Sequence, residues 1–255
     1  MCIRDRVYAN SLDFWTDVVR KAPENPRACE TLGGLLLATG DMAGAAECFR
    51  RLAHLEPRHA VAHANLGLAL VRLGRFQEAA AAYSQAVRIS ADPRSYNGLG
   101  VALGRLGRAQ EAIAAYREAI RLRPDFVEAH MNLAGMLRET DPNAAIQHYR
   151  RALQVRPDLV EAHNLLGVML KRSDPAVARE HFERALTIDP NFAEAHNNYA
   201  NLLASLGQYS AAIAHYRRAL EIKPDFELAR HNLTAIEALR GKSEPGTPGK
   251  EVSGE

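Results

Sequence analysis

The stretch FVEAHMNLAGML (residues 126–137) returns as LVEAHNLLGVML (159–170) and FAEAHNNYANLL (192–203). Each copy holds a histidine at the same place and an asparagine one or two residues after it. The copies are 33 residues apart, and the same spacing runs beyond them in both directions. Proline anchors at Pro57, Pro124 and Pro224 divide the chain into units at 26–59, 60–92, 93–126, 127–159, 160–192 and 193–226. A shared period in this range marks a stacked array of one supersecondary unit.

Inside a unit the apolar spacing is helical. Leu66, Leu70 and Leu73 form one stripe, and Ala79, Tyr83 and Ala86 form another on a second helix. A glycine stands between the two stripes (Gly40, Gly74, Gly107, Gly207), where a left-handed residue ends a helix. The units at 127–159 and 160–192 lose one residue here and carry Asp141-Pro142 and Asp174-Pro175 instead. Aspartate caps the coming helix and proline suits its first position, so the second helix is expected to start cleanly. Eight places into each unit stands a small residue (Gly33, Gly67, Gly100, Ala134, Gly167, Ala200), and an aromatic follows on the second helix (Phe49, Tyr83, Tyr116, Tyr216). Small–large alternation lets the two helices approach while each ring fills the space left. One such hairpin cannot bury its apolar face alone, so neighbours must stack on it. The expected fold is all-α.

Composition narrows the function classes. A net charge of +2 in 255 residues gives no general pull toward nucleic acid or anionic membrane. Hydrophobic residues make up 47%, yet no apolar run approaches a membrane span of about 20 residues. Cys2, Cys29 and Cys48 show no metal-ligand or redox spacing. His63, His130, His163 and His196 form one ladder and His148, His181 and His215 another. Equivalent positions in stacked helices lie about 8–10 Å apart, so neighbouring units cannot share one metal ion. A histidine can pair with its partner inside one unit, but no third ligand is evident. No serine or cysteine stands beside a histidine and an acid, and no phosphate-cradling glycine loop is present, so no cofactor, metal site or catalytic residue is expected.

With leucine-glycine, alanine, aromatic, alanine and proline in register over residues 26–226, the chain closely resembles the tetratricopeptide repeat family. Ala91 departs from the closing proline, and Cys29, His63, Tyr96 or His130 stands where the family has tryptophan. The resemblance implies a right-handed α-solenoid of stacked helix-turn-helix repeats. It also implies that the first helices line a concave face holding an extended peptide of a partner protein. The residues at its inward positions are Asn65, Asn97, Asn132, Asn164, Asn197, Asn198, Asn201 and Asn232. An amide both donates and accepts, so such a row suits a peptide backbone. It is similar to the asparagine ladder in the repeat arm of nucleocytoplasmic O-linked N-acetylglucosamine transferases, broken here at Thr31, Gly98 and Leu165. Arg72, Arg105, Arg138, Lys171 and Arg172 run along the far end of the same helices, opposite Glu128, Glu161 and Glu194. They are read as orienting an acidic peptide, although the helix dipole alone favours the same distribution. A lysine clamp for chaperone carboxylates is not expected, because its place holds Glu30, Ala64, Asn97, Met131, Asn164, Asn197 and His231.

The ends carry their own expectations. MCIRDR (1–6) fits no part of the repeat and reads as a translated sequencing adapter. Tyr8, Ser11, Trp15, Val18 and Pro23 then fit the second helix of a truncated unit at 7–25, so the natural chain is expected to extend upstream. ELARHNLTAIEALR opens a capping helix at 227–241, and 242–255 reads as a disordered tail rich in glycine and proline. The primary functional expectation is a non-catalytic scaffold binding an extended peptide. One alternative is the substrate-recruiting arm of a larger enzyme such as a glycosyltransferase, and another is an adaptor in an envelope or secretion assembly. The compartment stays open, with the cytoplasm favoured.

Overall fold

The computed structural model describes the backbone of residues 3–243 and the side chains of residues 11–239. Among the described residues there are fourteen α-helices and no strand. They are α1 (Ile3–Lys21), α2 (Pro26–Thr39), α3 (Met42–Leu55), α4 (Ala60–Arg72), α5 (Phe76–Ile89), α6 (Pro93–Arg105) and α7 (Ala109–Leu122). Then follow α8 (Val127–Leu137), α9 (Pro142–Val155), α10 (Val160–Leu170), α11 (Pro175–Ile188), α12 (Ala193–Ser205), α13 (Tyr209–Ile222) and α14 (Glu227–Ser243). Even-numbered helices from α2 to α12 are first helices of a hairpin, and the odd-numbered helix after each is its second. The chain forms two compact units, residues 1–148 and 149–255, with the division inside α9. In the first, α1 to α8 pack each on the next in chain order, and α4 and α8 also touch α6. In the second, α10 to α14 do the same, and α10 and α14 also touch α12. This nearest-neighbour packing is that of an α-solenoid.

Local chemistry sets the helix boundaries. Asn25, Asp41, Asp92, Asp141 and Asp174 each accept a hydrogen bond from the backbone N–H three residues on. The two Asp-Pro turns therefore start α9 and α11 as their residues predict. Gly40, Gly74, Gly107 and Gly207 have φ between 73° and 90°, a region that costs a residue with a Cβ about 1 kcal/mol. In α5 and α7 no side chain caps the N-terminus. There Arg75 and Arg108 instead form two-bonded ion pairs with Glu78 and Glu111.

Packing repeats with the sequence. Phe49, Tyr83, Tyr116, Tyr149, Phe182 and Tyr216 are all buried, as are the alanines at 45, 79, 112, 145, 178 and 212. The small first-helix residues are needed by contact. A Cβ on Gly100 would lie 2.5 Å from Tyr116 Cε1, and one on Gly167 would lie 2.7 Å from Phe182 Cε1.

The ends differ in part from expectation. Trp15 and Val18 pack with Leu12 and Leu36 on the core formed by Val19, Ala28, Leu32 and Cys48. Helix α1 begins at Ile3, inside the MCIRDR stretch, and α14 continues to Ser243. Lys242 and Ser243, read as the start of the tail, are thus helical, with the helix running through Gly241. Residues 1–2, residues 244–255 and the side chain of Tyr8 lie outside the described residues. No described helix is long and apolar enough to cross a membrane.

Candidate functional site

In the first unit the first helices α4 and α6 border a cavity of about 870 Å³. It brings together two of the expected residues, Asn65 and Asn97, with the apolar Val61, Leu68, Val71 and Val101. Val61 and Leu68 are exposed, which leaves an apolar strip open to a ligand. Arg72 and Arg105 do not line this cavity, although they sit in the last turns of the same helices. The cations that do line it are Arg94 and Arg123, the latter 4.8 Å from the Phe126 ring centroid. Periodicity gave no sign of these two, since Arg94 opens a helix and Arg123 lies in a connection. Arg138 and Lys171 stand at the C-terminal ends of α8 and α10, and Glu194 is paired to Lys223 at 3.5 Å.

The break in the asparagine row at Gly98 has a steric cause. The Tyr83 ring lies across this residue, and a Cβ there would fall 2.3 Å from its Cζ. Tyr83 thus lines the cavity in place of an amide, and burial pushes its pKa up to about 12.

The remaining asparagines meet one another. Asn132 Nδ2 donates to Asn97 Oδ1 at 3.0 Å, and Asn198 Nδ2 donates to Asn164 Oδ1 at 3.0 Å. Asn232 Nδ2 donates to both Asn197 Oδ1 and Asn201 Oδ1 at 3.2 Å, while Tyr216 Oη–H donates to Asn201 Oδ1 at 2.6 Å. Asn197, only 1% exposed, also donates to Asn198 at 3.4 Å. The bridging bonds run between α6 and α8, between α10 and α12, and between α12 and α14. Each bridge leaves further amide capacity, since Asn132 retains an N–H and its carbonyl oxygen. A double-mutant cycle on Asn97→Ala and Asn132→Ala is expected to show a coupling of about 0.5–1.5 kcal/mol in urea unfolding. Additive losses would mean the bridge does not hold the helices together.

The histidines form pairs inside a hairpin. His130 and His148, His163 and His181, and His196 and His215 each have Nδ1 atoms 2.9 Å apart. In each pair the first ring's Nε2 lies 3.0–3.1 Å from the carbonyl of Pro124, Pro157 or Pro190. A carbonyl only accepts, so this Nε2 carries the hydrogen and its Nδ1 is the acceptor. The partner histidine therefore donates from Nδ1. Burial pushes the pKa values of His148, His163, His181, His196 and His215 down, that of His181 to about 4. These rings pack as hydrogen-bonded pairs, and no cluster of three metal-ligating side chains occurs among the described residues. The same slot in the first hairpin holds Cys29 and Cys48, both free thiols. Burial raises both, Cys48 to about 11, so they are poor nucleophiles at neutral pH.

The repeat, the helical hairpins and their small–large packing together define a helical-repeat protein. Four tetratricopeptide repeat profiles match the sequence, at residues 30–94, 93–126, 142–173 and 169–236, and the chain belongs to the tetratricopeptide repeat family. A search of curated proteins finds no match. Among solved structures, the chain is similar to one in the APC/C hetero-tetramer Cut9–Hcn1, with TM-score 0.71 and 20% identity over 89% of its length. It spans 46% of that chain. YrrB, described as a TPR protein with an unusual peptide-binding site, matches with TM-score 0.63 and 23% identity, over 74% of this chain and all of that one. MamA matches with TM-score 0.59 and 20% identity, over 66% of this chain and 94% of that one.

Proposed function

We propose that this protein is a non-catalytic interaction scaffold that holds an extended segment of a partner protein along its first helices. The observation that carries the reading is the cavity between α4 and α6, where exposed apolar side chains lie beside amides. Membership of the tetratricopeptide repeat family supports an interaction role over a catalytic one. An extended chain has unpaired backbone N–H and C=O groups along its length, and Asn65 and Asn97 offer partners for both. Leu68 and Val101 supply the apolar contact. Arg94 and Arg123 line it together with Asp92 and Glu128, so the cavity suits a segment carrying both signs of charge.

The reading is tested with an array of immobilised 15-residue peptides of varied sequence. Captured peptides are expected to lose at least tenfold in affinity to Leu68→Glu combined with Val101→Glu, since each change places a charge against an apolar contact. Unchanged binding by that variant, or capture of no peptide at all, would defeat the proposal.

A further inference from the structure

We propose that the groove between α11 and residues 150–154 of α9 is a second docking site, for an acidic segment of a partner protein. The segment sets a carboxylate between Arg150 and Arg184 and lays an apolar side chain on Leu153 and Val177. This site lies between second helices, apart from the first-helix cavity, and does not depend on the reading of that cavity.

The groove encloses about 470 Å³ and is lined by both arginines, both apolar residues and the His163–His181 pair. No carboxylate lines it. Among the described residues, Arg150 and Arg184 have neither a hydrogen-bond nor an ion-pair partner. Several arginines on other second helices are held by an acid three residues away: Arg50 by Glu47, Arg121 by Glu118 and Arg218 by Glu221. The corresponding groove between α5 and α7 has a similar volume of about 410 Å³ but a different charge. Its Arg108 is tied to Glu111, Glu118 stands on its wall, and Tyr96 replaces the histidine. In the next hairpin Arg218 is tied to Glu221 and Asn191. The pair of free guanidiniums over an apolar floor thus sets this groove apart from the one between α5 and α7. Two planar forks on one cavity match the oxygens of a carboxylate. A lone phosphate would leave Leu153 and Val177 uncovered, whereas a peptide brings apolar side chains beside its charge.

The histidine pair adds a third donor that depends on protonation. His163 accepts at Nδ1 because its Nε2–H is bonded to Pro157 O at 3.1 Å. His181 donates from Nδ1 at 2.9 Å, leaving its Nε2 as a lone-pair acceptor. An added proton goes to this Nε2 and the bond between the rings survives. The charged groups acting on the pair are Arg150 from α9 and Arg184 from α11 itself, both opposing protonation. On the α12 side, Glu183 accepts from the Tyr199 hydroxyl at 2.6 Å. An anion between the guanidiniums offsets their effect and favours the imidazolium. Binding therefore takes up a proton, and affinity gains from it as pH falls through the raised bound value of His181 toward its free value of about 4.

The test uses the full chain, labelled with ¹³C in its histidine rings, and a peptide of alternating leucine and glutamate. Its glutamine counterpart serves as the control. The glutamate peptide is expected to raise the His181 titration midpoint by at least one pH unit, and the control to leave it in place. Arg150→Gln with Arg184→Gln, both exposed, is expected to weaken glutamate-peptide binding at least tenfold without loss of helix content. Equal binding by that variant, or an unmoved His181 midpoint, would overturn the proposal. Inorganic phosphate binding as tightly as the peptide would also overturn it, making the groove a small-anion site.

Discussion

Replacing Phe182 with alanine lowers the stability of the C-terminal unit by about 3–5 kcal/mol, the largest single-residue loss expected in this chain. The ring is fully buried between Ala178 and Ala185 on its own helix and stacks on Tyr199 with centroids 5.9 Å apart. Across from it stands Gly167, which has no side chain with which to collapse into the space. In the next unit Ala200 stands at the place of Gly167, with a methyl where the glycine has none, so Tyr216→Ala is expected to leave a smaller void. Because each hairpin contacts only its neighbours, the damage stays local. Urea unfolding followed by circular dichroism should broaden, and amide exchange should accelerate in α10 to α12 while residues 11–137 keep their protection. A loss below about 1 kcal/mol would show that the ring does not fill the hairpin interior.

Acid is expected to destabilise the fold as pH falls from about 6.5 toward 4, starting above the range where carboxylates protonate. Five paired histidines have folded-state pKa values below the ordinary 6.5, with burial the largest cause in each. The unfolded chain then binds more protons than the folded chain in this window, so stability rises with pH there. It is fully present above about pH 6.5 and is lost as pH falls toward the folded values, about 4 for His181. Changing His148, His181 and His215 to glutamine preserves a donor to each partner ring and removes half of each titrating pair. Thermal unfolding at pH 7 and pH 4.5 should show a smaller drop in Tm for this triple variant. An equal drop would assign the acid sensitivity to other groups.

Which features were legible in the sequence follows from the range of the forces behind them. The period, the turn glycines, the Asp-Pro starts and the alternation of Gly or Ala with Phe or Tyr are local patterns. Each maps onto one hairpin because helix geometry alone decides which residues share a face. The histidine pairs also lie within a hairpin, 18 or 19 residues apart, and pairing inside a unit was foreseeable. Their tautomers were not, because these depend on a proline carbonyl six residues earlier.

The asparagines mark the boundary between the two kinds of knowledge. Their row along the first helices is plain in the sequence, but the bridges from Asn132 to Asn97 and from Asn198 to Asn164 span 34 or 35 residues. Whether such amides face a ligand or one another depends on the distance between stacked helices, which no local pattern encodes. The same holds for charge. The row of cations ending at Lys171 was visible as a periodic feature, yet the arginines lining the two grooves are Arg94 and Arg123 in one and Arg150 and Arg184 in the other. Sequence by itself determined the hairpin, its repeat and the family, since those rest on short-range sterics and the burial of one apolar face. Tertiary structure alone decided which polar groups are already satisfied and which remain open, because only stacking brings residues from different hairpins within hydrogen-bond reach.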